Sequence, residues 1–130
     1  MSLQIKMTDK QNKTYSDEKL ATKIMSYLHG YRISTKAMFA VQACHGVSDA
    51  DLEESLDAFG SKFAETPQRL HSDFEGFSTT EQLDAILERL IDKDYLRKDI
   101  NPRNSESVVF LTAKGQIEYL RLEREAMKKN

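Results

Sequence analysis

Two hydroxyls and an amide, Thr79, Thr80 and Gln82, open an apolar-periodic stretch that also carries Arg89. Cations flank it on both sides, with Arg69 and His71 before it and Arg97, Lys98 and Arg103 after it. Threonine, glutamine and arginine hydrogen-bond base edges in a DNA groove, and lysine and arginine grip phosphates. The set is therefore a candidate contact surface for double-stranded DNA. Thr80 and Gln82 would face the major groove, Arg89 would reach a phosphate or a base, and Arg97 and Arg103 would hold the neighbouring minor groove or backbone. Arg69, Thr79 and Lys98 complete the patch. The same stretch also holds Glu81, Asp84, Glu88, Asp92 and Asp94, so like charge meets phosphate unless the acids point away. A solvated or protein-contacting face is the competing reading of these residues.

Other chemistry lacks its parts. There is no glycine-rich phosphate loop and no nucleophile elbow, and the carboxylates are scattered rather than paired in an apolar setting, so neither an enzyme nor a cofactor is expected. The single cysteine, Cys44, excludes an internal disulfide framework, and no Cys/His set with zinc spacing accompanies it. Beside His45 it reads as a small buried hydrophobe rather than a redox sensor. With 19 basic and 21 acidic residues the net charge is -2, so no global positive field draws this chain to nucleic acid and any attraction must be local. No apolar run is long enough for a bilayer and the N-terminus lacks a signal-peptide pattern, so a cytoplasmic protein with no membrane partner is expected.

The patch must be positioned by helices. A chain of 130 residues, 39% of them hydrophobic, can bury a single core. Residues 1–14 are polar and aperiodic and read as a mobile tail. Leu20, Ile24, Tyr27, Leu28 and Tyr31 recur at helical spacing behind Ser16 as N-cap, with Gly30 near the stop; Ser34 or Thr35 opens a second helix through Met38 and Val41 to Gly46. Ser48 caps a third helix with Leu52, Leu56, Phe59 and Phe63 on one face, which Gly60 frays or kinks. Thr66-Pro67 starts a short helix that turns Leu70 and Phe74 inward. Ser78 and Glu81 form a capping box that starts the next helix at Thr79, with the apolar stripe Leu83, Ile86, Leu87, Leu90 and Ile91. Asp94 can take a left-handed conformation at its end. Tyr95 to Ile100 and Ser107 to Leu111 read as strands around a hairpin loop. Thr112 caps a last helix whose stripe is Ile117, Leu120 and Met127.

The expected fold is mainly α with a small β-hairpin: a winged helix-turn-helix with extra N-terminal helices and a long C-terminal helix. Its divisions are the tail 1–14, an N-terminal helical segment 15–46 and a winged domain 47–130.

The stretch from Leu83 to Gly115 resembles the MarR-type transcriptional regulators. Leu87-Glu88-Arg89-Leu90-Ile91-Asp92-Lys93-Asp94-Tyr95-Leu96-Arg97-Lys98 is similar to their recognition-helix end and first wing strand, and Leu111-Thr112-Ala113-Lys114-Gly115 to their strand-to-helix junction. Pro102 sits where the family has a wing proline. The resemblance implies a homodimer on a palindromic operator and a pocket for a small aromatic effector between the N-terminal helices and the winged domain. The family's exposed threonine-arginine pair is Asp84 and Ala85 here, and Ser105 and Glu106 replace its wing-tip arginines. Tyr119 and Leu122 lie on a different side of the last helix from its apolar stripe. With Leu28 and Tyr31 they form the candidate dimer interface. A winged-helix module for protein contacts, without specific DNA binding, is the alternative to a DNA-binding regulator.

Overall fold

The computed structural model describes residues 14–43 and 46–128. Most of the expected tail, together with Cys44 and His45, lies outside the described residues. The chain is mainly helical with one small antiparallel sheet. In order come α1 (Asp17–Ala43), α2 (Asp49–Ala58), a 3-10 turn (Gly60–Phe63), α3 (Pro67–Asp73), α4 (Thr80–Asp92), β1 (Leu96–Ile100), β2 (Ser107–Leu111) and α5 (Ala113–Lys128).

The two N-terminal helices expected from the sequence are one helix of 27 residues. Ser16 does cap it, accepting from the Lys19 amide at 3.2 Å, but Gly30 does not end it. Gly30 is exposed, with open space where a Cβ would stand. A glycine inside a helix costs about 1 kcal/mol relative to alanine. Burial of Leu28 before it and of Arg32 and Thr35 after it carries the helix through.

Leu20, Ile24 and Leu28 lie on the inner face of α1 at four-residue spacing and bury completely against Leu70, Leu83, Ile86, Leu90, Leu96 and Leu111. The N-terminal segment and the rest of the chain thus share one core. A second cluster joins Leu56, Phe63 and Phe110. Phe63 turns into it, whereas Phe59, expected on the same face, is about half exposed. The reason is local: α2 stops at Ala58, and the tighter 3-10 turn that follows rotates the two phenylalanines apart. A Cβ on Gly60 would fall 2.3 Å from the Phe110 ring, so this close approach needs glycine.

The next four-residue step after Leu28 is Arg32, whose side chain is fully buried. Its guanidinium donates to Asp57 Oδ1 at 2.8 Å, to Glu53 Oε2 at 2.9 Å and to the carbonyls of Leu111 at 2.8 Å and Glu53 at 3.0 Å. A buried charge persists only when paired and hydrogen-bonded on all sides, and here α2 and β2 supply the partners. Asp57 also accepts from the Ala113 amide at 3.1 Å, which ties the start of α5 into the same network. Lys36 adds ion pairs to Glu53 at 2.7 Å and to Asp49 at 2.8 Å.

β1 and β2 pair in register from Leu96 opposite Leu111 to Ile100 opposite Ser107. Glu65 bridges the free side of β2 with two backbone hydrogen bonds to Val109, each of 2.9 Å. Asp94 takes a left-handed φ of 63°, as its position suggested, and Thr112 Oγ1 donates to its carbonyl at 2.7 Å.

The phase of α5 differs from expectation. Ile117, Leu120 and Met127, read as its core stripe, are all exposed. Tyr119 and Leu122 pack on the core instead. Gly115 sets this phase, because a Cβ there would lie 2.1 Å from the Tyr95 carbonyl oxygen. With Gly115 turned inward, Tyr119 and Leu122 follow on the same helical face.

Candidate interaction surface

Helices α3 and α4, the turn between them and the β1–β2 hairpin carry every residue of the candidate patch. Thr66 caps α3 by accepting from the Arg69 amide at 3.1 Å, with Pro67 at the first helical position. The turn closes with Gly76 at φ 89° and with Phe77 and Ser78 amides donating to the Phe74 carbonyl. The cap of α4 is Thr79, which accepts from the Gln82 amide at 3.0 Å, and not Ser78 as the capping-box reading had it. The helix starts one residue later, at Thr80.

This shift decides which side chains are available. The Thr79 hydroxyl is engaged as the cap. Gln82 turns sideways to the start of α1, its Nε2 donating to the Tyr15 carbonyl at 2.9 Å and to Asp17 Oδ1 at 3.1 Å. Arg89, two turns on along the same flank, pairs with Asp17 Oδ2 at 3.5 Å. The segment around Tyr15 is also held by its amide, which donates to the Phe77 carbonyl at 2.8 Å, and by ring stacking on Phe77 at 5.1 Å. Gln82 is therefore turned towards the start of α1 rather than outward, a correction to its expected groove-facing position, whereas Arg89 keeps an exposed side chain in a 3.5 Å ion pair with Asp17. Asp17, the first residue of α1, contacts both, and the sequence reading did not single it out.

With Leu83, Ile86, Leu87 and Leu90 buried, helical geometry puts Glu81, Ala85, Glu88 and Asp92 on the outer ridge of α4, and all four are exposed. Asp84 lies to one side, its carboxylate 2.7 Å from His71 Nε2 on α3. Thr80 is exposed at the helix start.

Most of the flanking cations are occupied by carboxylates of the same chain. Arg97 donates to Asp94 at 3.1 Å and approaches Asp57 at 4.0 Å. Hydrogen bonding to Arg97 holds the Asp94 carboxyl below its ordinary range. Lys98 pairs with Glu88 at 3.2 Å, and Arg69 with Asp73 at 3.5 Å. Arg103 stands exposed in the hairpin loop, its backbone amide donating to Asn101 Oδ1 at 2.9 Å. The loop holds Ser105 at φ 60° and closes through Asn101 and Glu106.

The four residues expected at a dimer interface serve the chain's own core. Leu28 is completely buried. The Tyr31 hydroxyl, with its one proton, lies 3.1 Å from Glu65 Oε1 and 3.0 Å from the Tyr27 hydroxyl, Tyr119 donates to Ser26 at 3.1 Å, and Leu122 packs on the main cluster.

A hollow of about 300 Å³ lies between α1, the end of α3 and the following turn, lined by Tyr15, Lys23, Ser26, Tyr27, Asp73, Phe74 and Phe77. Tyr27 donates a short hydrogen bond to Asp73; burial first, and that bond second, push the phenol far above its ordinary value. Among the described residues no group of three or more His, Cys, Asp or Glu is placed to hold a metal, and no helix is long and apolar enough to cross a membrane.

These elements define a helix-rich chain with a two-stranded hairpin and an acidic outer helix. No protein-family model, no curated protein and no solved structure matches it.

Proposed function

We propose that the chain is a winged helix-turn-helix module of the kind MarR-type regulators carry, and that it works by contacting protein rather than by reading base sequence. The order α3, turn, α4, hairpin supports the winged-helix assignment, as does the second backbone partner that Glu65 gives β2. The observation that carries the functional reading is the outer ridge of α4. A recognition helix inserted in a major groove would bring Glu81, Glu88 and Asp92 against phosphates. Each such pair costs about 0.5 kcal/mol at 8 Å in bulk water and several-fold more once the groove has expelled water. Gln82 is turned to Tyr15 and Asp17, and Arg89 pairs with Asp17 on the flank of the helix rather than on its outer ridge. An acidic, water-exposed ridge instead complements a basic protein surface.

A DNA-binding regulator is the second reading, favoured by Arg69 on α3 and Arg103 in the loop, which are both exposed on the flanks of α4. Exposed ion pairs such as Arg69–Asp73 are worth at most about 1 kcal/mol, so phosphate can displace them. Selection from a random duplex pool at about 50 mM salt, followed by anisotropy titration, separates the two. The protein-contact reading expects weak binding with no enriched site. Enrichment of a palindrome bound roughly 1,000-fold more tightly than the pool overturns it in favour of DNA.

A further inference from the structure

Lys62 on the 3-10 turn and Arg103 in the hairpin loop are far apart in sequence, yet both line one cleft of about 390 Å³, together with Met38 of α1, Ser61, Asn101 and Pro102. Each wall is held by contacts of its own. The end of α1 meets the turn region through the rings of Phe39 and Phe59, edge to face with centres 5.9 Å apart. Gly60 seats the turn against the Phe110 ring of β2. In the loop, Asn101 accepts from the Arg103 amide through Oδ1 at 2.9 Å and from the Ser105 amide through its carbonyl at 2.8 Å. Its own amide donates to the Glu106 carbonyl at 2.9 Å. The cleft is therefore preformed.

Its charge sets it apart. Arg69, Arg97 and Lys98 are each paired with a carboxylate of the chain, as are Arg32 and Lys36. Among the described residues neither Lys62 nor Arg103 has such a partner, and no carboxylate lines the cleft. Of the acids nearby in sequence, Asp99 accepts from the Ile100 amide at 2.7 Å, and Glu106 lines a separate recess with Thr66 and Pro67. Two cations that converge on one recess of a net acidic chain select an anion.

We propose that this cleft binds a phosphate monoester, its head between Lys62 and Arg103 and its organic part against Met38. Two cations match the charge of about −1.5 to −2 that a monoester carries at pH 7, whereas a carboxylate brings only one. A guanidinium presents paired donors that fit phosphate oxygens, and an ammonium adds a point charge from a second element. The Ser61 hydroxyl is a further donor, as is Asn101 Nδ2, because Oδ1 of that amide already accepts from Arg103. Met38, 58% exposed, lines both this cleft and a hollow shared with Ala37 and Val41, so an apolar group on the phosphate has a wall to cover. No residue of the cleft belongs to α4, and the proposal does not rest on the function proposed above.

Amide chemical shifts of the nitrogen-15-labelled full chain, followed at about pH 7.5 and constant ionic strength during titration with hexyl phosphate to roughly 10 mM, test it. Saturable shifts are expected at Ser61, Lys62, Asn101 and Arg103, with half-saturation below about 1 mM. Inorganic phosphate should act on the same amides about 10-fold more weakly, since it covers no apolar surface. Lys62 and Arg103 are exposed, so Lys62→Ala and Arg103→Ala are expected to keep the fold and each to weaken binding by at least about 10-fold. Arg124→Ala, an exposed cation on α5, is expected to leave binding unchanged. Unsaturated shifts spread over the surface cations overturn the proposal. So does an equal loss in Arg124→Ala, or inorganic phosphate that binds as tightly as the ester. A short DNA duplex that shifts these four amides where hexyl phosphate does not assigns Arg103 to a nucleic-acid backbone and overturns it as well.

Discussion

Asp57→Ala removes the node that joins three elements. Asp57 accepts from the fully buried Arg32 at 2.8 Å and from the Ala113 amide at 3.1 Å, with Arg97 at 4.0 Å. Losing the amide contact at the start of α5 costs about 1 kcal/mol, as for other caps. Losing the carboxylate beside a guanidinium with no solvent exposure costs more. Breaking a buried pair costs about 3–5 kcal/mol when no other charge compensates. Here Glu53 still holds Arg32 at 2.9 Å, so the lower part of that range applies. The expected total is roughly 3 kcal/mol. With a urea slope near 1.5 kcal/mol per M, the midpoint moves down by about 2 M. Asp57→Asn keeps an acceptor for both donors and loses only the charge, so it is expected to cost about half as much. Equilibrium urea unfolding followed by circular dichroism measures both. A loss below 1 kcal/mol for Asp57→Ala would refute the reasoning. Equal losses for the two variants would show that the charge does not matter, and would refute the electrostatic half of it.

Gly115→Ala should destabilise although alanine is the better helix former by about 1 kcal/mol, because its Cβ would stand 2.1 Å from the Tyr95 carbonyl oxygen. A lowered melting temperature checks this, and a rise would show that α5 is not seated as described. Acid should weaken the fold in two windows. Burial lowers the His29 pKa, outweighing the hydrogen bond to Gln116, so the folded state favours the neutral ring. Its contribution is complete above the unfolded value of about 6.5 and is lost as pH falls below it. For Glu53 burial alone would raise the pKa, but hydrogen bonds from Lys36, Arg32 and Gln116 together lower it. Its contribution is present above about 4.5 and is lost as pH falls on through its depressed folded value. Urea midpoints measured from pH 8 to pH 3 should therefore fall in two stages, and His29→Gln should remove only the first. A flat profile down to pH 5 in the wild type would contradict the His29 assignment.

The elements after Ser48 were legible because local rules and tertiary packing agree there. Ser48, Thr66 and Thr112 cap their helices through their own hydroxyls, the stripe Leu83, Ile86, Leu87, Leu90 turns inward, and residues 101–106 close the hairpin as their composition required. The continuity of α1 was not legible, since Gly30 is a weak local stop that distant contacts override. Nor was the phase of α5, a helix with two apolar faces. Periodicity finds both, and only the contact of Gly115 with the Tyr95 backbone selects the one that Tyr119 and Leu122 occupy.

The candidate surface divides the same way. Its residue types and its acidity are written in the chain. The sideways turn of Gln82 and the ion pair of Arg89 depended on Asp17, more than sixty residues away in sequence, and the burial of Arg32 depended on carboxylates from α2. By itself the sequence determined the caps of α1, α2, α3 and α5, the turns and the apolar stripe of α4, because these are interactions among near neighbours. Which apolar face is covered, which charges meet and which side chains remain outward are fixed only when distant segments pack, because burial and ion pairing depend on position in space.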